Sequence, residues 1–279
     1  MKQRSYFIIL FFTAVAALTL LAMQSLNPLN TKPKQNTRTL VAGYTNEPPY
    51  AYYDKSGRVQ GLFPAALRDM ASAMGYEKVE WVMMTFEQPL PALLSNRLDV
   101  IAAGLVITEQ RKPFGCFLSP LALTHAAVMT EKNKDIAAPV KLESLAQRTL
   151  VTLSGSIEET LAVKRKLGGK IERVPDVQAG VSMILTDKAD VLLLTRPSLE
   201  YRKKQLNSVK VLPIEDLHNE ALGPAFLFSH RLQSKLNQAQ QAQQRFMRSS
   251  QYQQYLSQFG FVRPPSESTA TECRNRATS

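Results

Sequence analysis

Histidine and cysteine are scarce in this sequence, which limits the chemistry that its side chains can perform. There are three histidines and two cysteines in 279 residues, and no histidine has a carboxylate or cysteine at metal-ligand spacing. We therefore expect neither a metal centre nor a cofactor. No histidine, cysteine or pair of carboxylates has an evident activating partner along the chain, so we also expect no enzymatic activity.

Runs of basic residues are missing as well. The formal net charge is +11, but the lysines and arginines are spread along the chain without a basic stripe interleaved with aromatics, so nucleic acid is not an expected partner. One long apolar run without a charge, "SYFIILFFTAVAALTLLAM", follows Lys2 and Arg4. This pattern predicts a secretory signal, either cleaved or kept as an N-terminal anchor, and it places the rest of the chain in the periplasm.

The two cysteines, Cys116 and Cys273, leave two interpretations open. In an oxidising compartment they can pair, and the bond would then fix the C-terminal tail. Alternatively they are independent thiols, because separation in sequence does not determine distance in space.

The chain divides by composition into a central region and three flanking segments. Residues 1–24 form the signal peptide or anchor, residues 25–38 a polar linker and residues 263–279 a flexible tail. In the central region, apolar strand-like runs alternate with amphipathic helical segments, once over 38–107 and again over 149–214. This alternation is typical of a mostly parallel sheet covered by helices.

Because the alternation occurs twice, we predict an α/β protein with two lobes. Lobe 1 would comprise residues 39–124 and 226–262, since the helical region 233–259 is expected to return to it, and lobe 2 would comprise residues 125–225. Ligands bind beyond the carboxyl ends of the strands in open α/β sheets, so the residues just past the strand ends are the candidate site.

Several sequence segments, in this order, resemble a known family. The segments are "EPPYAYYDKSGRVQG", "DVIAAGLVITEQR", "LVTLSGSIEETL", "ADVLLLTRP" and "QYLSQFGF". Together they are similar to the periplasmic solute-binding proteins of polar amino-acid ABC transporters, bacterial extracellular solute-binding protein family 3, and most similar to ectoine-binding proteins. The resemblance implies the periplasmic-binding-protein type II fold, with two lobes joined by two hinge strands, and a monomer that delivers its ligand to a membrane ABC permease.

The end of the run "DVIAAGLVITEQR" carries the first candidate residues. An arginine presents a planar fork of donors that matches a carboxylate, so Arg111 beyond a buried strand is a candidate anion site. The resemblance implies that Arg111 and the hydroxyl of Thr108 hold the ligand carboxylate, with backbone N–H groups of Thr108 and Gly104 pointing into the cleft. The alternative is a solvated arginine at a helix start.

Three residues of lobe 1 are candidates for the opposite end of a zwitterion. Glu47 can meet a cationic group, and the rings of Tyr50 and Phe86 can contact a cation or an apolar part of the ligand. The resemblance to ectoine-binding proteins places an acidic residue and aromatics at these positions. The alternatives are a core aromatic for Tyr50 and a helix staple for Phe86.

Lobe 2 contributes residues at the starts of its helices. The N–H groups of Ser156 and Ile157 lie at a predicted helix N-terminus, which favours anions, although Ser156 can equally be a plain N-cap. Two positions depart from the family pattern. Thr195 stands where amino-acid binders carry an aspartate for the ligand amino group, and Val106 stands where they carry a hydroxyl and ectoine binders an aromatic.

These features predict a periplasmic receptor that captures a small, carboxylate-bearing zwitterion by hinge closure and passes it to an ABC importer. One alternative is an exported sensor of the same fold without a transport role. The other is a dehydratase of cyclic acids, for which Glu47 or Glu158 would be the acid–base candidates.

Overall fold

The computed structural model describes residues 39–217, 219–265 and 272–273. The predicted signal or anchor and the linker, residues 1–38, lie outside these ranges. Among the described residues, no helix has both the length and the apolar character that a membrane span requires.

The elements follow the predicted alternation of strands and helices. In chain order the strands are β1 (Thr39–Thr45), β2 (Tyr52–Tyr53), β3 (Val59–Gln60), β4 (Lys78–Met84), β5 (Val100–Val106), β6 (Cys116–Phe117), β7 (Ala126–Glu131), β8 (Thr149–Leu153), β9 (Lys170–Val174), β10 (Val191–Thr195), β11 (Val209–Pro213), β12 (Pro224–Phe228) and β13 (Glu272–Cys273). The α-helices are α1 (Leu62–Ala73), α2 (Pro89–Leu94), α3 (Ile157–Lys164), α4 (Val177–Leu185), α5 (Arg196–Lys203), α6 (Leu236–Phe246) and α7 (Ser250–Phe259).

Lobe 1 is built on a sheet with the strand order β13-β6-β12-β5-β1-β4. The central strand β1 is parallel to both β4 and β5, as the alternation predicts. At the other side of the sheet, β12 runs antiparallel to β5 and to β6. Helices α1 and α6 cover one face and α2 covers the other, so β5 is buried on both faces. This burial accounts for its apolar sequence without alternation.

Lobe 2 is built on a second sheet with the strand order β11-β7-β10-β8-β9. Strand β8 is parallel to β9 and β10, whereas β7 is antiparallel to β10 and β11. Helices α3 and α4 lie against this sheet, and two aliphatic clusters fill the space on its two faces. The starts of α3 and α5 directly follow the carboxyl ends of β8 and β10.

The chain crosses between the lobes twice, and the two crossings lie side by side. Thr124 pairs with Leu222 in an isolated bridge, and Leu123 pairs with Val262. Next to the first crossing, Ser119 is held by buried glutamines of α6: the Gln240 Nε2 donates to its hydroxyl at 2.7 Å and the Gln243 Nε2 to its carbonyl at 2.9 Å. The sequence does not indicate which of the many glutamines of this helix make such contacts.

Two features of the fold differ from what the sequence predicts, and a third decides between two alternatives that the sequence leaves open. Strands β7 and β12 are antiparallel to their neighbours, because both belong to the segments that pass between the lobes rather than to the strand–helix repeats. The helical region 233–259 is divided into α6 and α7 by a break before the N-cap Ser249. Cys116 and Cys273 form a disulfide, which joins the edge strand β13 to its neighbour β6.

Candidate functional site

A small cavity of about 20 Å³ lies between the lobes, beyond the carboxyl ends of the central strands. Lobe 1 and lobe 2 contribute similar numbers of side chains to its walls. Its lining consists of Glu47, Tyr50, Phe86, Gly104, Val106, Arg111, Ser156, Ile157, Glu158, Leu194 and Thr195. Eight of the nine candidate ligand-binding residues from the sequence are therefore brought together here.

Arg111 extends from the turn after β5 into this cavity and is 7% exposed. Its Nη1 donates to the carbonyl of Val106 at 3.0 Å, and its Nη2 donates across the lobes to the carbonyl of Gly155 at 3.0 Å. It forms no salt bridge with any carboxylate in the described part of the chain. A guanidinium has five N–H donors, so donors remain for an anion.

Thr108 is the candidate residue that does not line the cavity. Its carbonyl accepts from the backbone N–H of Arg111 at 3.0 Å and from that of Lys112 at 3.1 Å. Thr108 thus closes the turn that carries Arg111, and the ligand contact of its hydroxyl stays a prediction.

Glu47 lies in a tight loop after β1 that buries its side chain. Its backbone N–H is shared between the carbonyls of Thr45 and Ala51, both at 2.8 Å, and its carbonyl accepts from Tyr50 at 2.9 Å. The carboxylate accepts a hydrogen bond from the hydroxyl of Ser198 in α5 at 2.6 Å, which joins lobe 1 to lobe 2. The sequence does not indicate Ser198 as a site residue, because a serine in a helix carries no signal without its partner in space.

Tyr50 belongs both to the cavity and to the core of lobe 1. Its ring packs edge-on against Phe261 at a centroid distance of 5.1 Å, while its hydroxyl is buried next to the side chains of Thr195 and Thr124. The ring lies directly over Gly104, where a Cβ would come within 2.4 Å of the Tyr50 Cδ1. Gly104 also has a φ of +67°, so both the close approach and the backbone favour glycine.

Phe86 faces the Arg111 guanidinium from lobe 1. The Arg111 Cζ lies 5.9 Å from the centre of the Phe86 ring, within the range of a cation–π contact. Phe86 also lines a wider groove of about 950 Å³ that continues outward between the lobes. Glu47 and Phe86 line both the cavity and the groove.

The turn between β8 and α3 supplies the facing wall in lobe 2. Ser156 is the N-cap of α3, and its Oγ accepts from the backbone N–H of Glu159 at 3.0 Å. The carboxylate of Glu159 accepts in return from the N–H of Gly155, the residue before the N-cap, at 2.7 Å, so the arrangement is a variant of the capping box. The capping interpretation of Ser156 therefore holds, and the turn still presents Ser156 and Ile157 to the cavity.

Thr195 ends β10 and occupies the N-cap position of α5 in the same wall, without a capping hydrogen bond from its side chain. Its hydroxyl lies 3.4 Å from that of Ser198, which in turn donates to Glu47. A short chain of hydroxyls therefore connects Thr195 of lobe 2 to the carboxylate of lobe 1.

Glu158 completes the polar lining, and the sequence indicates it only as an acid–base candidate. It is 3% exposed and its Oε1 has no hydrogen-bond partner among the described residues. The adjacent Glu159 makes the cap, so the two neighbouring glutamates have different surroundings that the sequence does not distinguish.

Burial dominates the electrostatics of the site. It raises the pKa of Glu47 to about 8; the Ser198 hydrogen bond and the nearby Arg202 lower this pKa, and the nearby Glu158 raises it. Burial likewise raises the pKa of Glu158 to about 7, although its own backbone N–H and Arg111 lower it. Burial lowers the pKa of Arg111, and Glu158 raises it. The cavity thus combines one guanidinium with two carboxyl groups whose pKa values lie well above 4.5.

The sequence from residue 40 to 261 matches the profile of the bacterial extracellular solute-binding proteins, family 3. The chain belongs to this family. The match spans both lobes and the whole of the cavity, so the type II periplasmic-binding-protein fold and the role of a solute-binding protein apply to this chain.

Characterised and inferred relatives include binders of different amino acids. The chain is 22% identical over 251 residues to a probable amino-acid ABC transporter periplasmic-binding protein of Sinorhizobium fredii, covering 85% of this chain and 83% of that protein. It is 23% identical over 229 residues to the arginine-binding extracellular protein ArtP of Bacillus subtilis, covering 81% and 88%. It is 24% identical over 189 residues to a probable histidine-binding protein of Campylobacter jejuni, covering 67% and 72%.

Solved structures share the fold. An ancestral arginine-binding protein bound to arginine superposes with a TM-score of 0.70 at 22% identity, covering 80% of this chain and 98% of that one. An ancestral amino-acid-binding protein described as a precursor of cyclohexadienyl dehydratase gives a TM-score of 0.68 at 21% identity, covering 80% and 95%.

Proposed function

We propose that this solute-binding protein captures a small zwitterionic solute with a carboxylate between its lobes and delivers it to an ABC importer. The observation that carries the proposal is the buried Arg111 guanidinium, which lines the inter-lobe cavity without a carboxylate of the described residues as its salt-bridge partner. A buried cation is stable when it is paired and hydrogen-bonded, and a ligand carboxylate supplies that pair.

The contacts on either side of Arg111 support a binding mode in which both lobes hold the ligand. The guanidinium bridges from Val106 of lobe 1 to Gly155 of lobe 2, so a carboxylate bound to it would also meet the turn at Ser156 and Ile157. Glu47 and the Tyr50 hydroxyl would then face the cationic end of the solute. Closure on the ligand by hinge motion at the paired crossings is consistent with this arrangement.

The proposal also includes export of the protein to the periplasm and an ABC permease as its partner. The N-terminal pattern would direct the chain to the periplasm, where a monomer would meet the permease in its closed form. Uptake of a labelled ligand by cells with and without this chain measures delivery, and mapping of the mature N-terminus measures whether the apolar segment is removed.

A thermal-shift screen followed by titration tests the binding role. Amino acids, betaines, ectoines and small carboxylates are added to the purified protein, and a ligand raises the melting temperature as its concentration exceeds its dissociation constant. For any stabilising carboxylate, Arg111→Gln should weaken binding about a hundredfold, because a buried charged partner is lost. The matched control is Arg97→Gln, an exposed lobe 1 arginine outside the cavity, which should bind as the wild type does. Unchanged affinity in Arg111→Gln would contradict the proposal.

A further inference from the structure

Helix α5 of lobe 2 carries a row of contacts with lobe 1 that continues outward beyond the cavity. The helix begins at the crossing between the lobes, where the backbone N–H of Arg196 donates to the carbonyl of His125 at 2.9 Å. Ser198, Tyr201 and Lys204 follow at intervals of three residues, so they are neighbours along one side of the helix. The first of them bonds to the cavity wall, whereas the other two do not line the cavity.

Tyr201 joins the lobes through aromatic contacts. Its ring centre lies 5.6 Å from that of Tyr52 in β2 and 5.8 Å from that of Phe259 in α7, and both of these partners belong to lobe 1. The ring of Tyr255 lies 6.1 Å from that of Phe259, so the row of rings continues along α7. Ring pairs at such distances each favour the joined state by roughly two- to tenfold.

Lys204 adds a charged contact beside these rings. Its Nζ donates to the carbonyl of Gln258 at 2.8 Å and lies 5.1 Å from the centre of the Phe259 ring. The last carbonyls of a helix lack intrahelical partners and form the negative end of its dipole, so the C-terminal end of α7 favours a cation. The ring face attracts the same ammonium group.

We propose that Tyr201 and Lys204 form a latch with Tyr52, Gln258 and Phe259 that holds the lobes together, and that they are positioning residues which set solute affinity without touching the solute. Opening of the cleft separates α5 from lobe 1, so it breaks these contacts as well as those in the cavity. The latch therefore stabilises the closed form and slows the release of a bound solute. Its effect on closure requires no particular solute, whereas its effect on release rests on the proposed function.

Small-angle X-ray scattering of the protein without solute tests the effect on closure. Co-purified solute is removed by unfolding in guanidinium chloride, dialysis and refolding with the disulfide intact. The double variant Tyr201→Ala with Lys204→Ala should have a larger radius of gyration than the wild type, because the ratio of closed to open molecules falls about tenfold or more. A variant as compact as the wild type, or a wild type already as expanded as the variant, would overturn the inference.

Further variants separate the latch from a general effect on α5. Lys203→Ala removes the same charge from the helix, but Lys203 bonds to Glu200 within the helix, so the radius should not change. Tyr201→Phe and Lys204→Arg keep the ring and the cation and should stay nearly as compact as the wild type. Lys204→Ala alone changes an exposed side chain, so the partial expansion that we expect of it cannot come from misfolding.

The rate of solute release gives a second measurement that a merely structural role of the two residues would not change. The twenty proteinogenic amino acids are tested in turn by stopped-flow displacement. Any that binds the wild type should leave the double variant about tenfold faster and leave Lys203→Ala at the wild-type rate, because opening precedes release.

The outcomes separate the latch from the proposed function. Loss of amino-acid binding in Arg111→Gln together with an unchanged radius and release rate in the double variant would overturn the latch and leave the function standing. Expansion of the double variant without binding of any amino acid would support the latch and count against the proposed function.

Discussion

The two lobes contribute to one cavity but are built differently. The core of lobe 1 contains aromatic side chains, with Tyr50 of the site packed against Phe63 and Phe261, and Phe63 packed against Phe226. The two buried clusters described for lobe 2 are aliphatic, with a methionine, and its site residues lie at the starts of α3 and α5. Lobe 1 therefore positions its site through core packing, whereas lobe 2 presents caps and backbone groups.

This difference suggests that lobe 1 makes the first contact with the ligand and that lobe 2 completes the site after closure. Side chains locked in a packed core offer a preorganised surface to the first ligand contact, which reduces the entropy lost on binding. Helix starts can complete the same contact after closure without a rigid core behind each residue. Four predictions test whether lobe 1 is the preorganised half, in order of decreasing effect.

Among the features specific to lobe 1, the disulfide should make the largest contribution to the free energy of unfolding. It joins residues 157 positions apart, and a cross-link over such a span destabilises the unfolded chain by about 5 kcal/mol. We expect the double variant Cys116→Ala with Cys273→Ala to lower the free energy of unfolding by that amount in urea titrations. A reducing agent should reproduce the loss in the wild type and have no effect on the variant. Equal stability of oxidised and reduced wild type would contradict the prediction.

The contact between Gly104 and Tyr50 tests preorganisation at the site itself. Gly104→Ala should lower the free energy of unfolding by about 3 kcal/mol, because a Cβ collides with the Tyr50 ring and the residue has a positive φ. The matched control is Gly57→Ala, which has a φ of +77° and nothing near its Cβ, so it should lose only about 1 kcal/mol. Equal losses would mean that the ring is free to move and that lobe 1 is not preorganised there.

Much of this architecture follows from local sequence patterns. Strand β9 and helix α4 coincide with the segments "KIERV" and "VQAGVSMIL", since alternation, helical periodicity and the Asp176 cap are all local signals. Helix α2 is shorter than its apolar pattern, because the chain turns at Asn96 with a φ of +59°. The antiparallel directions of β7 and β12 could not be predicted, because they depend on how the two lobes are connected.

Only part of the site was predictable from the sequence. The residues after β5 and β8 carry recognisable motifs, so Arg111, Gly104 and Ser156 could be found from the sequence. The roles of Glu158 and Ser198 depend on contacts made across the cleft, and nothing in "SIEETL" or "RPSLEY" marks which side chain faces the other lobe.

The buried carboxyl groups of Glu47 in lobe 1 and Glu158 in lobe 2 should make the stability of the protein depend on pH. The pKa values of Glu47 and Glu158 rise from 4.5 to about 8 and about 7 in the folded state, so the folded protein holds protons that the unfolded chain releases. Their contribution is therefore complete below pH 4.5 and is lost as the pH rises through 7 and 8. Each unit by which the pKa differs between the folded and the unfolded state changes the free energy of unfolding by about 1.4 kcal/mol.

Thermal unfolding between about pH 5 and pH 8 measures this effect. The wild type should lose at least about 1.4 kcal/mol over the interval relative to the double variant Glu47→Gln with Glu158→Gln, since glutamine does not titrate. Parallel curves for the two proteins would show that the carboxyl groups are hydrated in the ligand-free state, and the single variants would show which wall opens to water.

The smallest expected effect belongs to the contact that joins the two walls. Ser198→Ala removes the hydroxyl that donates to Glu47 across the lobes, which should lower the free energy of unfolding by about 1 kcal/mol. Ser144→Ala is the control, because its hydroxyl bonds to Lys141 within lobe 2 and is exposed, so we expect a loss of less than about 0.5 kcal/mol.

Small-angle X-ray scattering distinguishes two possible origins of the stability loss in Ser198→Ala: release of the two lobes from each other, or loss of support for the Glu47 loop. If the Ser198 contact holds the lobes together, Ser198→Ala should increase the radius of gyration of the ligand-free protein, whereas Ser144→Ala should not change it. A loss of stability without an expansion would mean that the bond supports the Glu47 loop of lobe 1 and does not restrain closure. Lobe 1 would then depend on lobe 2 for the position of a site residue, which is the opposite of a preorganised half.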